Sequence, residues 1–377
     1  MAHDLTIRRN GRAEMAYTGE TPWHGLGASL APGAGMDAWR DAAGMDWQIL
    51  RAAVRYPTNP DDANNPAAWR RMEDRHVLIR SDNGNALGVV SDRYQEVQPA
   101  DVLDFFRELT AAQGFAMETA GTLKGGKRFW ALARVAEDAA VIDARDRVGG
   151  YLLLSTSADG TMATEARLTA IRVVCQNTLS AALRSGTAGA HKTAHNRVWD
   201  ADAAKAALGI AAGDARRSFA EAMDTFRGLA ETPLATRDMV RMTLEAFGHD
   251  PARMTARELE DAAGKPAVAG IGHMAATGQG MAGAELRGAG PGSMWGWVNA
   301  VTQYVDHHAR ARSRDNRLES AWFGRGDALK SRALEMAVEA AGGGGRAVTY
   351  RDADDAGPSL GASMLDAVLA VTDPSAG

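Results

Sequence analysis

A glycine turn flanked by cations is the first stretch of the sequence whose residue types indicate a chemistry. Lys124-Gly125-Gly126-Lys127 is followed directly by Arg128. Glycines allow a phosphate backbone to approach closely, and the cations can neutralise its charge. The stretch is not a Walker-type phosphate loop, because the spacing differs and Arg128 stands where that loop needs Ser or Thr. The sequence therefore predicts a hairpin turn that contacts phosphates.

Further cations and polar side chains extend this candidate surface toward residue 177. The nucleic-acid-binding residues predicted from the sequence are Lys124, Lys127, Arg128, Trp130, Arg134, Arg167, Arg172, Gln176 and Asn177. Phe129 and Trp130 are neighbours on a predicted strand and face opposite sides, so one ring is expected to leave the core and stack on bases. The alternative is that both rings are buried in a sheet covered on both faces.

A second polar stripe, formed by Asn299, Gln303 and Asp306, recurs at helical spacing beside Trp297 and Tyr304. Such a stripe lines a groove or forms a buried hydrogen-bond network, and the sequence alone leaves both interpretations open.

The residues that most often carry catalysis or bind metals give weaker patterns. His191 and His195 are four residues apart but have no third ligand nearby, so we interpret them as a solvated pair at the start of a helix. The single cysteine, Cys175, excludes a disulfide framework and is interpreted as an inert core residue. We predict no catalytic residues, no metal and no cofactor.

Charge is unevenly distributed along the chain. The net charge is −5, but residues 121–200 contain 11 basic and 7 acidic residues, and residues 307–332 contain 7 and 3. Residues 333–377 contain 2 basic and 7 acidic residues. Basic segments beside an acidic C-terminal segment are compatible with a nucleic-acid site and a competing anionic tail.

Length and composition indicate an ordinary globular chain. It has 377 residues, of which 45% are hydrophobic and 24% charged. The polar N-terminus lacks the apolar core of a signal peptide, and no apolar run is long enough for a membrane helix. We therefore expect a cytoplasmic protein without a membrane partner.

Strand and turn patterns in the middle of the chain predict the elements that position the candidate surface. Strands are predicted at 76–80, 86–90, 115–121, 127–135, 151–157 and 161–169, the last two turning at Asp159-Gly160. Helices are predicted at 36–43, 101–112, 170–184, through much of 200–263 and from 294 to 308. The expected fold class is α+β, an antiparallel meander or curved sheet with flanking helices and a helical C-terminal half.

Four regions follow from these patterns. Residues 1–70 form an irregular segment that packs on the core, and residues 71–200 form the α+β core. Residues 201–332 form a helical region with a glycine-rich loop at 264–296, and residues 333–377 form an acidic flexible tail.

Three separated motifs carry a resemblance to a known family. They are Thr21-Pro-Trp-His-Gly-Leu-Gly27, Arg172-Val-Val-Cys-Gln-Asn-Thr-Leu179 and Trp295-Gly-Trp-Val-Asn-Ala-Val-Thr-Gln-Tyr-Val-Asp-His307. Together they resemble the bacterial and phage "phage/plasmid-like protein" family, domain of unknown function 932, from near the start to about Lys330. Gln303 stands where that family is expected to have Glu, which argues against a catalytic carboxylate there. The resemblance implies a phage or plasmid context and no particular reaction.

The favoured function is that of a nucleic-acid-binding accessory protein that anneals single-stranded DNA as a homo-oligomer without covalent catalysis. This hypothesis is an analogy with phage annealing proteins of the Red-beta and RecT type, supported by the predicted sheet and the charge layout. Two alternatives remain. One is a metal-dependent nucleic-acid enzyme that uses Asp306, His307 or His195, and the other is a non-catalytic module that binds a phage or host protein.

Overall fold

The computed structural model describes residues 5–19, 25–141, 146–172, 177–179, 190–210, 214–279, 290–311, 320–321 and 324–342. The strands are β1 Met15–Tyr17, β2 Ala28–Ser29, β3 Ile49–Pro57, β4 Trp69–Arg80, β5 Ala86–Ser91, β6 Ala116–Leu123, β7 Arg128–Ala140, β8 Arg147–Ser157, β9 Thr164–Arg172, β10 Asn177–Leu179 and β11 Ala190–Thr193. The helices are α1 Met36–Ala42, α2 Pro99–Ala112, α3 Ala201–Ala207, α4 Asp214–Glu231, α5 Thr236–Ala246, α6 Ala256–Ala263, α7 Pro266–Thr277, α8 Met294–Gln303 and α9 Arg325–Gly342. The fold class is α+β, as predicted.

The larger sheet is built mostly from consecutive strands. Its order is β10-β9-β8-β7-β6-β1-β2, and β11 pairs with β9. β6 pairs antiparallel with β7 and with β1, whereas β1 and β2 are parallel. The consecutive order from β6 to β10 confirms the predicted meander, because strands joined by short turns are placed beside each other.

A smaller sheet has the order β3-β4-β5. The turn of residues 81–85 joins β4 to β5 as predicted, but β3 lies in the segment for which an irregular structure was expected. That expectation is wrong, since Ile49–Pro57 forms a strand. The strand was not predicted because this segment mixes apolar residues and arginines and lacks a clean polar–apolar alternation. Residues 21–24 of the first motif, including Trp23, lie outside the described residues.

The chain folds into two compact units, and each unit is made of segments that are not consecutive in the sequence. The first contains residues 1–136, 151–168 and 184–216, and the second contains residues 137–150, 169–183 and 217–377. The strands β7, β8 and β9 each contribute residues to both units.

α2 shows how local sequence specifies an element of the first unit. A capping box formed by Gln98 and Asp101 begins the helix, with Pro99 in its first turn. The apolar face predicted from helical spacing is buried, and Phe105 and Phe106 meet edge to face at 5.1 Å. The predicted helix therefore forms with the predicted core face.

The second unit contains a helical core in which α7 packs against α5 and α8, and α9 packs against α5 and α8. The Trp295 indole Nε1 donates to Asp146 Oδ2 at 2.8 Å, and its ring stacks on Phe226 with centroids 4.7 Å apart. The Trp297 indole Nε1 donates to Thr243 Oγ1 at 2.9 Å. The two tryptophans of α8 are thus buried with their polar atoms satisfied.

Three predicted boundaries are wrong. Within the expected glycine-rich loop, α7 forms between Pro266 at its first turn and the left-handed Gly278, which ends it. Its glycines are buried, and small residues allow neighbouring helices to pack closely. The expected helix at 170–184 is contradicted by β9, which continues to Arg172, and by β10. Residues 333–342 of the expected tail belong to α9, where Leu334 is buried.

Candidate nucleic-acid interface

The predicted cationic turn lies between β6 and β7 and rests on a buried arginine. Arg80 ends β4, and its Nη1 donates to the carbonyl oxygen of Gly125 at 3.2 Å. Lys124 has a positive φ of 54°, and Gly126 has one of 93°. A Cβ on Gly126 would lie 2.8 Å from Arg80 Nη1 and 2.8 Å from the Trp47 ring. The turn is therefore held in one shape that requires glycine at position 126.

The anchoring arginine belongs to a buried ion pair. Arg80 donates to Glu14 through Nη1 at 3.0 Å and through Nη2 at 2.7 Å, and both side chains are 1% exposed. Asp82 accepts from Arg80 Nη2 at 2.8 Å, and the guanidinium lies 4.2 Å from the centroid of the Trp47 ring. Burial lowers the pKa of Arg80, but the bonds to Glu14 and Asp82 outweigh it and raise the pKa overall.

The Glu14 carboxylate accepts two further hydrogen bonds. Arg8 Nε donates to Glu14 Oε1 at 2.9 Å, and the Thr122 hydroxyl donates to Glu14 Oε2. A buried charge is tolerated when it is paired and hydrogen-bonded in this way. The turn thus sits on a buried support whose charged groups are all hydrogen-bonded.

The cationic turn contacts the turn between β8 and β9. The carbonyl oxygen of Lys127 accepts from the backbone N–H of Ala158 at 2.7 Å, and Arg128 Nη2 donates to Thr161 Oγ1 at 2.9 Å. Thr161 lies in the turn between β8 and β9, where its backbone N–H donates to Asp159 Oδ1 at 3.0 Å. Lys124, Lys127 and Arg128 are half-buried. The carboxylate of Asp159 lies at the border of this surface.

The expectation that Phe129 or Trp130 leaves the core is wrong. Phe129 is buried against Trp47, and Trp130 is only 8% exposed. Gly121 is the cross-strand partner of Trp130, and a Cβ at Gly121 would lie 2.7 Å from the indole ring. Because Gly121 has no side chain, the indole can lie over β6, where base stacking is not possible.

The remaining predicted cations of the first unit are engaged or buried. Arg134 forms an ion pair with Glu118 at 2.8 Å, and its guanidinium lies 5.3 Å from the Tyr151 ring centroid. Arg167 is buried on β9. These two arginines therefore contribute to the structure of the sheet.

The other predicted binding residues fall in the second unit. Arg172 and Asn177 are backbone partners in the pairing of β9 with β10, and Gln176 lies outside the described residues. The side chains of Arg172 and Asn177 also lie outside what the structure describes.

The second polar stripe is buried in the helical unit. Asn299 Nδ2 donates to the carbonyl oxygen of Trp295 at 2.8 Å, while Asn299 Oδ1 and Gln303 Oε1 have no hydrogen-bond partner among the described residues. Asp306 lies in a π-helical turn, Tyr304–His308, and accepts from Lys330 Nζ at 2.9 Å. The burial of Asn299 and Gln303 agrees with the interior interpretation of the stripe.

The histidine pair does not start a helix, so that expectation is wrong. His191 lies on β11. His195 stacks on Tyr94 with ring centroids 4.4 Å apart, and its Nδ1 lies 2.8 Å from the carbonyl oxygen of Gln95. Burial lowers the pKa of His195. Among the described residues, no group of three or more His, Cys, Asp and Glu side chains could hold a metal ion.

An exposed β-ribbon was missed by the sequence analysis. β5 pairs with β4 only from Arg75 to Ile79, so the distal parts of β3 and β4 pair only with each other. We call this ribbon, Ala53–Pro57 with Trp69–Asp74, the arm. Its exposed side chains include Tyr56, Trp69, Met72 and several arginines. The clustering of Arg51, Arg55, Arg70 and Arg71 beside two aromatic residues was the available signal.

The chain thus has an α+β fold of two units whose segments alternate along the sequence. It carries a cationic turn in the first unit and buried polar residues in the helices of the second. The family model for the domain of unknown function 932 (DUF932) matches residues 86–322, and the chain belongs to this family. No curated protein and no solved structure matches the chain. The arm and Arg80 precede the matched residues. Nowhere in the described ranges is a helix both long and apolar enough to cross a membrane.

Proposed function

We propose that this protein binds single-stranded nucleic acid as a non-catalytic accessory protein of phage or plasmid type, and that it acts as a homo-oligomer in the cytoplasm. The observation that carries the proposal is the cationic turn of Lys124, Lys127 and Arg128 on the buried Arg80–Glu14 support. A rigid turn presents its charges with a lower backbone ordering cost when a phosphate backbone binds. Phosphate contacts of this kind position a strand without reading its sequence.

The geometry supports phosphate contact more than base contact at this turn. Trp130 is buried, so the turn itself offers charge and backbone but no aromatic platform. Binding through the turn alone is therefore expected to be insensitive to sequence and strongly dependent on salt.

The test is neutralisation of the turn. Lys127→Ala/Arg128→Ala is expected to weaken binding of oligothymidylate and to lower the slope of log affinity against log salt by about 1.4, since each single-strand phosphate contact contributes about 0.7. Arg253→Ala/Arg257→Ala is the matched control, because it removes the same charge from exposed positions of the second unit. If the turn variant keeps the parental affinity and the parental slope of log affinity against log salt, the proposal is wrong.

Assembly is tested separately by electron microscopy of the full chain with and without single-stranded DNA. Rings or filaments that form or lengthen with DNA support the oligomeric part of the proposal. Single particles of one chain in both samples contradict it.

A further inference from the structure

The arm is exposed along both of its faces. Every residue from Trp69 to Arg75 is exposed, as are Arg55 and Tyr56 on the partner strand. Tyr56 is 47% exposed, Trp69 39% and Met72 40%. A two-stranded ribbon has little stability of its own, and large apolar groups held out in water on such a ribbon indicate a binding surface.

Like charges face each other across the arm. Arg55 is the cross-strand partner of Arg71, and Tyr56 is the partner of Arg70. Directly opposed side chains have Cβ atoms about 5 Å apart, and like charges there destabilise the pair. Arg71 is 3.6 Å from the exposed carboxylate of Glu73, whereas Arg55 and Arg70 form no ion pair with any described residue. An anion bound between Arg55 and Arg71 would relieve this repulsion.

An aromatic ring lies on the same face as the arginine pair. Trp69 is two residues from Arg71, so their side chains leave the ribbon on one side, and Trp69 is opposite Pro57. The indole Nε1 donates to the carbonyl oxygen of Ala63 at 3.1 Å. This bond fixes the orientation of the ring while leaving part of its surface open. A pre-oriented ring binds a planar partner with a small entropy cost.

The loop at the tip of the arm is also ordered by its own hydrogen bonds. The backbone N–H of Thr58 donates to the carbonyl oxygen of Ala68 at 3.1 Å. The side chains of Asn59 and Asn65 each accept from a backbone N–H two residues later. The arm therefore presents its arginines and rings from a defined frame.

Guanidinium groups beside exposed aromatic rings match the chemistry of an unpaired nucleic-acid strand, in which phosphates alternate with accessible base faces. In a duplex, the base faces are already stacked and offer nothing to Trp69. An acidic peptide would satisfy the arginines but would leave the rings without planar partners.

From these observations we propose that the arm contacts single-stranded nucleic acid, with Arg55 and Arg71 on a phosphate and Trp69 stacked on a base. This inference rests on the proposed function and adds to it the element that distinguishes an unpaired strand from a duplex. Tyr56 and Arg70 form a second, similar pair on the opposite face of the ribbon.

The experiment measures the affinity of the full chain for three probes by fluorescence anisotropy: oligothymidylate, an abasic oligomer of the same length, and a duplex. Trp69→Ala is expected to weaken oligothymidylate binding about 5- to 150-fold, which corresponds to about 1–3 kcal/mol of stacking. Its effect on the abasic oligomer is expected to be about twofold or less, because no base is available to stack. Trp69→Phe retains a ring and is expected to restore most of the affinity.

Phe247→Ala is the matched control for the ring, because Phe247 is an exposed aromatic residue of the second unit. Arg55→Gln/Arg71→Gln is expected to lower the salt slope by about 0.7 on both single-stranded probes, because the two arginines contact one phosphate. Circular dichroism and thermal melting of each variant establish that the fold is retained.

Photocrosslinking of the unmodified protein to oligothymidylate provides a readout that needs no variant. Crosslinked peptides that contain Tyr56 or Trp69 support the inference, and crosslinks confined to other peptides overturn it.

The remaining outcomes separate the two proposals. If Trp69→Ala binds like the parent while the turn variant is weakened, the inference about the arm fails and the proposed function stands. Equal losses on base-containing and abasic probes exclude base stacking and overturn the inference. If the arm variants lose self-association but keep their affinity for DNA, the arm is a contact between protein chains. A parent chain that binds none of the probes overturns both proposals.

Discussion

Replacing Arg80 with methionine tests whether the buried ion pair holds the cationic turn. The substitution leaves the Glu14 carboxylate 1% exposed and without its bidentate partner. Breaking a buried pair on one side typically costs about 3–5 kcal/mol, and the donors that remain on Glu14, from Arg8 and Thr122, place the expected loss near 3 kcal/mol. Loss of the contact between the guanidinium and Trp47 adds about 0.5–1 kcal/mol.

Urea denaturation followed by circular dichroism measures this loss of unfolding free energy. The double variant Glu14→Gln/Arg80→Met removes both charges and is expected to be more stable than Arg80→Met alone, since no buried carboxylate is left unpaired. Nucleic-acid affinity is expected to fall in Arg80→Met although no surface cation is removed, because the Gly125 carbonyl oxygen loses its anchor. A loss below about 1 kcal/mol in Arg80→Met would refute the reasoning, as that is the scale of an ordinary exposed pair.

Four further predictions follow from single features. Gly126→Ala is expected to destabilise the first unit by more than about 1 kcal/mol in thermal melting, because its Cβ would clash with Arg80 and Trp47. Gly125→Ala is the control, since a Cβ there meets open space and bears only the cost of a positive φ, and equal losses of stability in the two variants would contradict the prediction. The pKa of His195 is lowered by burial, so the unfolded chain binds more protons, and the stability of the fold is expected to decrease as the pH drops below about 6.5. Melting temperatures measured over a pH series check this, and the same decrease in His195→Gln would contradict a role for His195. Lys330→Met is expected to lower the free energy of unfolding by about 3 kcal/mol in urea denaturation, because Lys330 is fully buried against Asp306. The double variant Asp306→Asn/Lys330→Met is expected to recover part of this loss, and a double variant no more stable than the single one would contradict the prediction. Removing residues 343–377, which contain 2 basic and 5 acidic residues, is expected to raise affinity for oligothymidylate most at low salt, and unchanged affinity at about 50 mM salt would exclude competition by this segment.

The central strands β6 to β9 could be predicted from sequence because their signals are local. Asp159-Gly160 marks a turn, and the flanking apolar strands follow at short distance, so neighbouring strands are also neighbours in the chain. α2 was equally accessible, since its five apolar positions follow helical spacing. Local chemistry and final structure agree at these places.

The errors arose where tertiary packing overrides local preference. α7 contains glycine inside a helix, which is unfavourable for an isolated helix but suits the interior of the second unit, where it packs against α5 and α8. Residues 170–172 extend a strand because β8 and β10 flank β9 in the sheet. Neither packing partner is visible in a local sequence window.

The candidate site was accessible only in part. The cluster of Lys124, Lys127 and Arg128 could be identified because the cations are adjacent in sequence. The Glu14–Arg80 pair joins residues 66 positions apart, and no local pattern connects them. The exposure of Trp69 depends on β5 ending its pairing at Arg75, which is likewise a property of the folded sheet.

The alternation of the two units along the chain has a consequence for biosynthesis. The first unit is not complete until residue 216 has left the ribosome, and by then residues 137–150 and 169–183 of the second unit have already emerged. Asp146, in one of these early segments, cannot be buried against its partner Trp295 until the later residues have been synthesised. Domains that fold as contiguous blocks during synthesis avoid this interval, in which apolar strands are exposed to aggregation. Chaperone dependence and low yield of C-terminally truncated chains are therefore expected for this fold.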